Sequence, residues 1–178
     1  MKFKNLIRIT FGFGGLLLLV ALTFIVYGIF LGKHTLIRES LIIEAPVDVV
    51  WNNVHNFDAH SKWMKGLSPL YNYKHSARQI RYNIGDRTLM VNQQVRTREN
   101  AYSIDFIRIG HERYGEIENL NGSISLHSLA DGTTELTWII DYTLDTISPR
   151  VINALFVRPK LKKLIDINAL ALKAYIEH

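Results

Sequence analysis

The chain offers seven histidines, 16 carboxylates and no cysteine for chemistry. Without cysteine there is no disulfide, no thiolate nucleophile and no Cys-ligated metal. The histidines are His34, His55, His60, His75, His111, His127 and His178. His55 and His60 are five apart, whereas two metal ligands on one helical face, as in H-E-x-x-H, stand four apart. Ser61, Ser68, Ser123 and Ser125 lie in no G-x-S-x-G turn, so none reads as an acyl-transfer nucleophile. "GFGG" at 12–15 sits inside an apolar run with no strand before it, which fits packing glycines rather than a phosphate loop. The sequence assigns no catalytic residue, no metal and no cofactor.

What remains is a set of polar and aromatic side chains that alternation puts on apolar faces. In 101–109, Tyr102, Ile104, Phe106 and Arg108 share one face. Arg108 either reaches solvent at the strand end or anchors a carboxylate or phosphate head. Gln93 shares a face with Leu89, Val91 and Val95, and Asn168 sits in the apolar stripe of the last helix. Each is either paired internally or offered to a ligand. Tyr82 and Trp138 are core or cavity wall, as are Trp51 and Trp63. The candidate lining is therefore Tyr82, Gln93, Tyr102, Phe106, Arg108, Trp138 and Asn168.

The elements that must position these residues follow from period and punctuation. "TLIRESLIIEA" reads as a strand. "PVDVVWNNVHN" reads as a helix opened by Pro46, whose missing N–H is harmless in a first turn. Val47, Val50, Trp51 and Val54 make its apolar face. "FDAHSKWMKG" is a second short helix. Six strands follow, at 67–75, 78–84, 87–98, 101–109, 116–129 and 133–145, broken at "NIGD", "REN" and "ADG". Thr134, Leu136, Trp138, Ile140, Tyr142 and Leu144 form the dry face of the last strand. Residues 149–178 are helical, with the main helix starting at Pro159 because proline does not fit a helix interior. A separate short helix or loop precedes it, and Leu155, Phe156 and Val157 form an apolar knob there. The knob either packs on the sheet or meets a membrane or cavity mouth. Leu161, Leu164, Ile165, Asn168, Leu172, Tyr175 and Ile176 form the stripe that covers the sheet.

This order, with "IIEAPVDVVWNNVHNFDAHSKWM" at its start, resembles the START-related superfamily of helix-grip proteins, which includes the polyketide cyclase/dehydrase-like families. The carrying residues are Ile43, Ala45, Pro46, Val50 and Trp51 in I-x-A-P-x-x-x-V-W, then Trp63, with "GTTELTWIIDY" and "LALKAYIEH" downstream. The resemblance covers about residues 36–178. It implies an α+β helix-grip fold, a curved antiparallel sheet of about seven strands around a long C-terminal helix. It also implies a cavity for a lipid, quinone, polyketide or other hydrophobic small molecule. The superfamily shares no catalytic motif to carry over, so an enzyme acting in the same cavity, cyclase- or hydrolase-like, stands as the alternative.

Residues 9–32 carry no charge over 24 positions. At about 1.5 Å per residue they would span roughly 36 Å of helix, enough for a hydrocarbon core of about 30 Å. A cleaved signal would have a shorter apolar stretch and a small-residue cleavage site. Residues 1–34 thus read as a single-pass membrane anchor and 35–178 as the folded domain. Lys2, Lys4 and Arg8 precede the run, while Lys33 and Arg38 follow it with Glu39 beside them. The basic excess favours a cytoplasmic N-terminus and an outer domain, periplasmic or extracellular. Those five cations also account for the net charge of +5, since 16 basic residues match 16 acidic ones at 39–178. A formally neutral domain argues against nucleic acid as a partner. The expected partners are a membrane and a hydrophobic small molecule or lipid; no oligomeric state is specified.

Overall fold

The computed structural model describes residues 3–72, 76–84, 87–109 and 117–178. Helix α1 (Phe3–Phe30) leads into strand β1 (His34–Ile43). Helix α2 (Val47–His55), a 3-10 turn (Phe57–Ala59) and helix α3 (His60–Trp63) follow. Then come β2 (Leu67–Asn72), β3 (Ala77–Ile84), β4 (Arg87–Arg98), β5 (Ser103–Arg108), β6 (Ile117–Ser128) and β7 (Thr134–Leu144). The chain ends in α4 (Ile147–Ile152), a π turn (Asn153–Val157) and α5 (Arg158–Glu177). Residues 73–75, 85–86 and 110–116, parts of the expected strands and turns, lie outside the described residues.

The seven strands form one antiparallel sheet in the order β1-β7-β6-β5-β4-β3-β2. Helix α5 packs on β1 and β7 at one side of this order and on β3 near the other. One straight rod touches both sides only if the sheet curls round it, and that is the expected helix-grip architecture. The expected dry face of β7 is confirmed: Thr134, Leu136, Trp138, Ile140, Tyr142 and Leu144 are all buried. From α5 the core takes Leu161, Ile165, Asn168, Ala169 and Leu172. Tyr175 departs from the expected stripe and is exposed. The "ADG" turn forms as read, with Gly132 at φ +82 and Thr133 held to the Asp131 carboxylate.

Two further expectations are corrected. The segment before Pro159 is not separated from the main helix, because α4, the π turn and α5 run on without a break from Ile147 to Glu177. Proline lacks an N–H and its ring crowds the carbonyl four residues back, here Leu155. Widening the turn, so that Arg158 N–H bonds Asn153 O, accommodates the ring inside a continuous helix. The expected strand 101–109 likewise begins later. Glu99–Ala101 is a 3-10 turn and Tyr102 is left-handed at φ +44, so it drops out of the alternation.

The uncharged run lies in α1 up to Phe30. Among the described residues no helix is long and apolar enough to cross a membrane, so the transmembrane part of the expectation is not shown. Large apolar side chains from Leu16 to Phe30 are nevertheless exposed. Near its end α1 is joined to the domain. Gly28 is buried where a Cβ would collide with Ile147 and Val151 of α4. Arg150 donates to the carbonyls of Leu31, Leu144 and Asp145, tying the helix exit to the end of β7.

Candidate functional site

Strand register creates a polar row on the inner face of the sheet. Alternation turns Arg78, Ile80 and Tyr82 of β3 inward, and Val91, Gln93 and Val95 of β4. Arg78 pairs with Gln93, and Gln93 with Arg108 of β5. Arg78 is only 4% exposed. Its guanidinium carbon sits 3.3 Å from the centre of the Phe106 ring, where the ring's negative face supports the charge. Its Nε donates to Gln93 Oε1 at 2.8 Å. The Gln93 amide donates onward to Leu120 O at 3.4 Å.

Above this row lies an aromatic and imidazole cluster from α3. His60 is fully buried and its Nε2 is 2.7 Å from Val54 O. A carbonyl only accepts, so Nε2 carries a proton and is the donor. Burial drives its pKa down to about 4; the Val54 bond opposes this and the Arg78 charge adds to it. The His60 ring meets Phe57 and Trp63 edge-on at 5.3 and 4.9 Å, and Trp63 meets Trp138 at 6.4 Å. Trp63 Nε1–H is buried without an acceptor among the described residues. Such a donor is costly in an apolar interior unless something accepts from it. Burial raises the Tyr82 hydroxyl pKa, against the Arg78 charge and a hydrogen bond with Gln93.

The structure sorts the sequence candidates. Tyr82, Gln93 and Phe106 converge with Arg78, and half-buried Arg108 continues their row. Trp138 is a core ring behind Trp63. Asn168 is buried but fully engaged, since it donates to Lys65 O and Leu164 O and accepts from Lys65 N. It clamps α5 to the segment after α3. Tyr102 stands apart, its hydroxyl donating to Asp48 at 2.6 Å and its ring edge-on to Trp51. Arg78 and His60 were missed. Arg78 opens an alternation with Ile80 and Tyr82, so its inward direction was readable; charge alone argued against it. His60 has no comparable signal, because its burial depends on α3 packing against α5, about a hundred residues further along the chain.

At neutral pH His60 is uncharged, its Nε2–H donating to Val54 O, and the Tyr82 hydroxyl stays protonated. Among the described residues the cluster contains no carboxylate.

A seven-stranded antiparallel sheet curled round a C-terminal helix, with polar groups set into its inner face, defines a helix-grip protein of START-like fold. The family model for polyketide cyclase / dehydrase and lipid transport proteins matches residues 34–177, and the chain belongs to that family. No curated protein matches it. Among solved structures it is similar to the Zhui aromatase/cyclase of Streptomyces sp. R1128, at 12% identity and TM-score 0.61, covering 81% of this chain and 94% of that one. A conserved protein of Geobacillus kaustophilus matches at 19% and 0.62, covering 80% and 95%. A START superfamily protein of Mycobacterium smegmatis matches at 17% and 0.56, covering 80% and 97%. At these identities the likeness is one of fold.

Proposed function

We propose that this chain is a membrane-anchored binding protein that holds a lipid-like or other hydrophobic small molecule between the sheet and α5. The observation carrying the reading is the Arg78–Gln93–Phe106 group with the Trp63 donor, set within an otherwise apolar inner face. Ligand pockets combine apolar walls with a few placed polar groups in this way. The alternative is a cyclase- or hydrolase-like enzyme acting on a hydrophobic small molecule in the same place. Residues 9–32 would fix the domain where apolar ligands partition. The basic residues at 2–8 favour a cytoplasmic N-terminus and an outer domain.

Native mass spectrometry of the full chain extracted in mild detergent tests the binding. A bound small molecule is expected, diminished by Gln93→Leu while circular dichroism is unchanged. A chain that carries nothing and ignores a panel of lipids and quinones would refute it. For topology, a C-terminal reporter that works only in the cytoplasm would overturn the orientation.

A further inference from the structure

The π turn puts two kinds of residue on opposite sides. Inward, Asn153 is buried, accepting from Tyr142 Oη at 2.6 Å and donating to Thr35 Oγ1 at 3.1 Å. Outward, Ile152, Leu155 and Phe156 are 46, 52 and 59% exposed. All three are exposed where their neighbours Val151 and Asn153 are buried, so they make up the outward, apolar surface of this stretch. The buried Asn153 network fixes the turn, and with it the direction of that face.

Its surroundings say what covers it. Val151 packs on Gly28 of α1, and Phe156 lies only five helical residues further on, about 7.5 Å along the axis. Phe30, 83% exposed, ends the apolar surface of α1 beside the same junction. Cations border this region: Lys33 after α1, and exposed Lys160 and Lys163 after the knob, while Arg158 turns back to donate to Leu36 O of β1. The domain has no net charge to explain this, so the clustering is local. An apolar wedge rimmed by lysines suits the boundary between acyl chains and anionic headgroups.

We infer that Ile152, Leu155 and Phe156 insert into the headgroup–acyl boundary of an anionic bilayer, with Lys160 and Lys163 against the lipid phosphates. The α4–α5 junction is then a second membrane contact that sets the tilt of the domain. It holds the N-terminal end of α5 at the lipid surface, where an apolar ligand would enter or leave. The inference rests in part on α1 being an anchor, and the test separates the two.

The chain has no cysteine, so single labels are clean. Phe156→Cys, Val20→Cys and Ser128→Cys variants of the full chain carry bimane in nanodiscs of phosphatidylglycerol and phosphatidylcholine. Brominated lipids serve as quenchers. The label at 156 is expected to lose most of its emission, and the label at 128 none. Replacing phosphatidylglycerol by phosphatidylcholine, or adding Lys160→Glu and Lys163→Glu, should weaken the loss at 156. A label at 156 that lipids do not quench overturns the inference. If that label is shielded from iodide but not quenched by lipid, the face belongs to a protein contact, a second copy included, and the inference again falls. Quenching at 20 without quenching at 156 sinks the knob and keeps the anchor. The converse sinks the anchor and keeps the knob.

Discussion

His60 and Asn168 show what a buried polar side chain does to stability when its partners are fixed. For His60 the folded pKa is about 4, against about 6.5 when unfolded. Below 6.5 the unfolded chain takes up a proton that the folded chain refuses. The stability tied to neutral His60 is therefore whole above pH 6.5, declines as pH falls, and is lost by about pH 4. The loss is about 3 kcal/mol. Urea unfolding across this window should show it, and His60→Gln should flatten it; an unchanged profile would mean that His60 is not buried neutral. Asn168→Ala removes both donors and the acceptor that meet Lys65 and Leu164. It should cost about 2–4 kcal/mol at the urea midpoint, with faster amide exchange near Met64–Gly66. If Asn168 served only a ligand, stability without ligand would be untouched.

At the scale of elements, the joints carry the information. Gly28 is the close-approach point between α1 and α4, and Gly28→Val should force them apart because Ile147 and Val151 are β-branched and stiff. Hydrogen exchange should rise around Leu144–Val151 while β6 and β7 keep their protection. Asn153 is the corresponding pin for the π turn. Asn153→Ala leaves the Tyr142 hydroxyl, whose pKa burial raises to about 12, without its acceptor. The expected cost is about 1–3 kcal/mol, read by thermal denaturation. Tyr142→Phe in the same background should recover part of it, since the stranded hydroxyl is then gone.

For the whole molecule, the grip of the sheet on α5 decides stability and ligand space together. Leu172 is fully buried in the core that α5 shares with the sheet. Leu172→Ala should destabilise the chain by about 2–5 kcal/mol. The sheet is one continuous ladder from β1 to β2, so the loss should appear as one cooperative transition at lower denaturant. Two separate transitions would show that the sheet and α5 are not a single folding unit.

The sequence alone determined the elements and their faces. Alternation set the dry side of β7, the I-x-A-P-x-x-x-V-W stretch set the first strand-to-helix turn, and "ADG" set a hairpin. These features depend on neighbours a few residues apart, which is what a sequence displays. Tertiary structure decided the rest. Arg78 becomes part of a site only because register lays it beside Gln93 and folding brings Phe106 beneath it. Tyr102 leaves the row because a left-handed residue breaks the period. Asn168 turns from ligand candidate to clamp because the Lys65 backbone, 103 residues away, arrives to satisfy it. Pro159 widens a helix that local rules would have ended there, because Asn153 finds Tyr142 and Thr35 across the fold. In each case the deciding partner is distant along the chain, and no local pattern encodes its arrival.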